Sequence, residues 1–145
     1  MSGRVMGLDV GDVRIGVALS DPLGLTAQPH TSIDSEDGRS ILAVIRIILE
    51  REVGKIVVGL PIELSGELGP QAQKVKLFSE QLQAALFRRA ELKHIRVELW
   101  DERLTTAQAK RILEGSALKN KDRSSALDRV SAAIILQSYL LAAAE

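Results

Sequence analysis

Asp9 stands inside the apolar run Arg4–Val10, between Leu8 and Val10, where an uncompensated polar group costs roughly 2–7 kcal/mol and an ionised one more. Something must compensate it. An ion pair with Arg4 or Arg14 would do so without any function, whereas Gly7 and Gly11, two residues to either side, leave room for a metal, a phosphate or a backbone to come close. Two further acids, Asp101 and Glu102, follow the apolar segment that ends at Trp100, and Asp128 lies three residues after Ser125 in an S-x-x-D helix-start pattern. Each alone has a plain alternative, a turn acid for 101 or 102 and a helix cap for 128. Carboxylates brought to one spot repel, and divalent cations are the chief means of neutralising them. With no cysteine and only His30 and His94, the ligands must be oxygens, so hard ions such as Mg²⁺ or Mn²⁺ fit best. Two such ions about 3.5–4 Å apart would clamp a scissile phosphate, and phosphodiester hydrolysis is the chemistry this set suits.

The elements that must position these acids alternate between strand and helix patterns. Arg4–Val10 and Arg14–Ser20 read as strands joined by the tight turn Gly11-Asp12-Val13, and a third strand over about 26–33 carries Pro29, which belongs at a sheet edge. Apolar residues at three- and four-residue spacing predict a helix over 38–53. Ile56, Val57 and Val58 make a short strand buried on both faces, and Pro70 opens a helix to about Arg89. A strand over 94–100, a helix from Thr105 to Glu114 closed by Gly115, and a last helix over about 126–143 follow. This order predicts an α/β domain over 1–145. Its sheet is mixed and five-stranded, an antiparallel meander plus two parallel strands, with helices on both faces and a ligand crevice at the switch between the first strand and the parallel ones. The loop from Gly59 to Pro70 ends at a helix start, where phosphates are favoured, but lacks the Gly-Lys-Ser/Thr of a Walker A motif and reads as an ordinary turn.

Composition narrows the partners. The 145 residues are 46% apolar and 26% charged, enough for one core and a solvated surface. No apolar stretch approaches the roughly 18 residues of a membrane span, and Asp9, Asp12 and Arg14 are foreign to a secretory signal, which predicts a cytoplasmic protein with no membrane partner. Net charge is zero, yet residues 1–50 carry four basic and seven acidic side chains against six and three over 110–130. Lys119, Lys121 and Arg123, directly before Asp128, would guide a polyanion to that acid, and Arg14 is counted with them. Only four aromatic residues are present, too few for a base-stacking platform, so nucleic acid would be held through its phosphates.

Four blocks carry a resemblance: GLDVGDVRIGVALSD (7–21), VGLPIELSGELGPQA (58–72), DERLTTAQA (101–109) and LDRVSAAIILQSYL (127–140). Over nearly its whole length the chain resembles the YqgF family, also called RuvX or Holliday-junction-resolvase-like. The resemblance implies a ribonuclease H-like fold. It makes Asp9 the first metal-binding acid, Asp101 the second with Glu102 in reserve for that place, and Asp128 the acid of the final helix. It also implies a nuclease that matures the 5′ end of pre-16S ribosomal RNA, with the small-subunit precursor as partner, or else a resolvase of four-way DNA junctions. Resolution needs symmetric cuts and hence a homodimer, whereas RNA end-processing is open to a monomer. Two other classes compete. The G-x-D-x-G turn also resembles the phosphate hairpin of actin-like and sugar kinases, which need two such domains. A catalytically silent nucleic-acid-binding module is the other, and against it all three acids are retained.

Overall fold

Residues 3–35, 38–105, 107–115 and 123–144 are described by a computed structural model, the side chains of 112–115 and 123–128 excepted. The elements in order are β1 (Arg4–Val10), β2 (Arg14–Ser20), β3 (Ala27–Asp34), α1 (Ser40–Arg51), β4 (Val53–Leu60), α2 (Pro70–Phe87), β5 (Arg96–Asp101), a 3-10 turn (Glu102–Leu104), α3 (Ala107–Gly115) and α4 (Arg123–Ala143). The strands lie in the order β3-β2-β1-β4-β5. Both pairings within the meander are antiparallel, and β1–β4 and β4–β5 are parallel. The mixed sheet expected from the sequence is the one observed. Pro29 sits on the edge strand β3 as expected, opposite Ala18 where the register slips by a bulge.

Strand alternation divides the core. Met6, Leu8, Ile15, Val17, Ile56 and Val58 point to one face and pack under α1 and α2, with Val44, Ile48, Val75, Leu82 and Leu86. The other face carries Ala18 and Ala27 against Ala132, Ala133, Leu136 and Leu140 of α4. Small residues let α4 lie close to the sheet. At Gly7 a Cβ would stand 2.7 Å from Leu136 Cβ and 3.0 Å from the Ala132 carbonyl oxygen, so what the missing side chain admits is the helix itself. Gly7→Ala is therefore expected to cost about 1–3 kcal/mol through overpacking, seen as a lower urea midpoint; an unchanged midpoint would show that α4 is not held against β1.

The helix boundaries differ from expectation by a few residues, α2 ending at Phe87 rather than about 89 and α4 beginning at Arg123 rather than about 126. α1 stops at Arg51 because Glu52 takes a left-handed conformation (φ 53°) as its C-cap. After β5 the chain enters the 3-10 turn before reaching α3, which the capping pattern at Thr105 did not anticipate. Among the described residues no helix is long and apolar enough to cross a membrane.

Candidate active site

The β1–β4 ladder ends at Leu8↔Val58, while β1 stays paired with β2 to Val10↔Ile15 and β4 stays paired with β5 to Leu60↔Asp101. The two parallel neighbours thus part at their carboxyl ends and open a crevice at the switch point, where open α/β sheets bind ligands. Asp9 lies at its lip. It is half-buried and shares the α4-facing side of β1 with Gly7, two residues earlier. Arg4, one of its candidate counter-ions, is at the other end of the strand, donating through Nη1 to the Ser20 carbonyl at 3.0 Å. The turn after Asp9 is braced from two sides, by α2 and by the end of β3. Gln71 in the first turn of α2 donates through Nε2 to the Val10 carbonyl at 3.0 Å, and Lys74 Nζ lies 3.2 Å from Asp12 Oδ1. Ser35 donates its backbone N–H to the Val13 carbonyl at 3.0 Å and its hydroxyl to the carbonyl of Asp12 at 2.9 Å.

The two acids at the end of β5 have different surroundings. The Asp101 carboxylate is turned to Arg103, whose Nε lies 3.1 Å from each oxygen and whose Nη2 lies 2.9 Å from Oδ2; it also caps the 3-10 turn by accepting from the Arg103 backbone N–H at 2.9 Å. Those donors, the guanidinium first, hold its pKa below the ordinary value. Glu102 instead lies over β4. A Cβ at Gly59 would meet its Cγ at 3.1 Å and its Oε2 at 3.2 Å, as well as Ile135 Cδ1 at 2.5 Å, so the glycine makes room for the carboxyl. Burial, then the charge of Asp9, then that of Asp101, push the Glu102 pKa up to about 7. Two carboxyl groups that raise each other's cost of ionisation suit a shared cation or a shared proton.

Asp128 belongs to α4, one helical turn before Ala132, which packs on Gly7; its side chain lies outside the described residues, as does that of Arg123 at the start of the helix. Lys119 and Lys121 are likewise outside the described residues. Arg14 opens β2 beside the crevice, with Asp34 of β3 as its cross-strand partner in register. Among the described residues no three acidic or imidazole groups form a metal cage. In the loop after β4, the Glu63 carboxylate packs against Gly69 at the start of α2, so an acid already attends the helix terminus where a phosphate was considered. Sequence reasoning missed Gln71, Ser35 and Lys74, whose roles depend on contacts across 22 to 62 residues of chain.

A family model described as "RuvX: Holliday junction resolvase" matches residues 3–142. The chain belongs to the RuvX family. Curated relatives cover it almost end to end. It is 43% identical over 140 residues to a Listeria monocytogenes protein named "Putative pre-16S rRNA nuclease", covering 94% of this chain and 96% of the relative. A Thermoanaerobacter pseudethanolicus protein of the same name is 46% identical over 139 residues, covering 94% and 95%. RuvX is thus a family of nuclease-like proteins. Among solved structures, Thermus thermophilus RuvC in complex with a Holliday junction superposes with TM-score 0.63 at 17% identity, covering 98% of this chain and 96% of that one. The yeast mitochondrial resolvase Ydc2 gives 0.61 at 11%, covering 96% and 78%. At those identities the likeness is one of fold, and the RuvX chain has the ribonuclease H-like fold of these resolvases.

Proposed function

We propose that this RuvX chain is a divalent-metal-dependent nuclease, with Asp9, Glu102 and Asp128 as the residues that would hold Mg²⁺ or Mn²⁺. The observation that carries the reading is the placement of Glu102 against Gly59 of β4, just past the Leu8↔Val58 pair that leads β1 to Asp9; burial and the neighbouring carboxylates push Glu102 up to about 7. Their donor set fits a hard cation: oxygen ligands only, with a repulsion that a cation relieves. Of the two neighbouring acids, Glu102 takes the second place because the Asp101 oxygens are occupied by Arg103. For Asp128, the support is its register one turn before Ala132, above β1. When bound, such ions supply Lewis-acid activation of water and charge stabilisation at the scissile phosphate. The chain's own part is to fix the carboxylates. Gln71, Lys74 and Ser35 hold the strand end and turn beside Asp9, Gly59 leaves space for Glu102, and Lys119, Lys121, Arg123 and Arg14 draw in the polyanion.

The substrate we assign is structured RNA, the 5′ end of pre-16S rRNA in the cytoplasm, in line with the names of the relatives. A four-way DNA junction is the second reading, supported by the fold shared with junction-bound RuvC. Purified protein is incubated with a labelled pre-16S leader and a synthetic junction, each with Mn²⁺, Mg²⁺ or chelator. The result expected is divalent-dependent cutting of the leader. Paired symmetric nicks in the junction alone would transfer the assignment to resolution, and a folded protein that cuts neither would remove it.

A further inference from the structure

We propose that Arg103 contacts a substrate phosphate next to the scissile one and that Asp101 is the positioning residue that aims it; this rests on the nuclease reading above. The Asp101 carboxylate accepts from three N–H groups of Arg103 at 2.9 to 3.1 Å: the backbone N–H, Nη2, and an Nε–H shared between the two oxygens. A carboxylate offers about four acceptor positions, and Arg103 alone engages both oxygens and takes most of them. Among the described residues the guanidinium is not filled. It has five donors, Nε and part of Nη2 face Asp101, and no described residue takes the Nη1 donors.

The pair is placed where a phosphate contact is needed. Arg103 directly follows Glu102 in the 3-10 turn at the crevice rim, where Asp9 and Glu102 would repel a polyanion. A fixed cation there offsets the repulsion and sets the register of the strand, as phosphate contacts do. The turn itself is anchored. Thr105 donates its backbone N–H to the Glu102 carbonyl at 3.1 Å, and the Ser138 hydroxyl of α4 donates to the Leu104 carbonyl at 2.8 Å. The Arg103 side chain stays 44% exposed, and so exposed a pair adds little to stability. What the forked geometry fixes is direction, which suits the bidentate recognition of phosphate that Arg performs and Lys does not.

The test measures binding and metal uptake apart from turnover. Binding of the cleaved substrate is titrated in chelator, with a neutral methylphosphonate replacing single phosphates beside the cut, and Mn²⁺ binding is followed by calorimetry. Arg103→Ala should weaken binding about tenfold, the worth of a charge-assisted contact. Arg103→Lys should recover only part of it, and Asp101→Asn should lose several-fold. The loss should fall on KM rather than kcat, and Mn²⁺ affinity should stay within about twofold in all three. One methylphosphonate should weaken the wild type and leave Arg103→Ala unaffected. Loss of Mn²⁺ binding in Asp101→Asn, or wild-type binding and salt dependence in Arg103→Ala, would overturn the inference. A wild type that binds in the Arg103-dependent way and never cuts would remove the nuclease reading alone, and one that binds no nucleic acid would remove both.

Discussion

Asp9→Asn is expected to lower divalent-dependent cleavage on the order of 10³-fold, the scale on which a preorganised charge at a reacting phosphate acts, while the fold stays intact. The change keeps the side chain's size and takes away its charge. Asp9 lies half-buried at the end of β1, and the turn beyond it is held by Gln71, Lys74 and Ser35 through contacts that do not involve its carboxylate. The variant should therefore still fold, seen as a cooperative thermal melt. A second readout ties the loss to this site. After burial, Asp9 does more than Asp101 to raise Glu102, so in Asp9→Asn the Glu102 carboxyl should titrate below about 7, measurable by side-chain carbon NMR across pH 4–9. Cleavage within tenfold of the wild type would put the reaction elsewhere, and an unmoved Glu102 titration would mean that the two groups do not face one another.

Asp9 was legible from the sequence because a carboxylate between Leu8 and Val10 contradicts its surroundings. Its position at a switch-point crevice followed from the order of strands and helices, and the observed sheet has that order. Asp101 and Glu102 could not be ranked in the same way. They are adjacent, and which one faces Asp9 depends on where β5 ends and on the 3-10 turn that follows, a rotation of about one residue that strand and helix periods do not encode. The pairing of Asp101 with Arg103 was not read from the sequence, because nothing in the spacing says that the turn bends the arginine back on the acid two residues before it. Gly7 shows the opposite failing. It was recognised as a place of close approach, and what approaches is α4, because a gap at a strand residue looks the same in sequence whether a helix or a ligand fills it.

Glu102→Gln is expected to make the protein more stable at pH 8 while abolishing its response to Mn²⁺. The folded-state pKa of about 7 lies above the ordinary 4.5, so between those values the native chain holds a proton that the unfolded chain has released. The stability this supplies is fully present below about pH 4.5 and is lost as the pH rises through about 7. The whole shift corresponds to about 3 kcal/mol, and solvent around the exposed part of the carboxyl reduces it to about 1–2 kcal/mol. The glutamine never ionises and escapes that loss. Thermal melts over pH 4.5–8.5 should thus show Glu102→Gln close to the wild type at the acid end and above it by roughly 3–6 °C at pH 8. Adding Mn²⁺ at pH 8 should raise the wild-type melt and leave the variant where it was, because a ligand stabilises only the state that binds it. The same proton opposes cation binding, so wild-type Mn²⁺ affinity should fall about tenfold per unit below pH 7 and level off above it, with the cleavage rate following. Parallel melting curves for the two proteins from pH 5 to 8 would show that Glu102 is not held neutral by Asp9 and burial. In that event the crevice would lose the feature that marks it as a cation site: a carboxylate whose ionisation costs stability in the free protein and is offset only when a positive charge arrives.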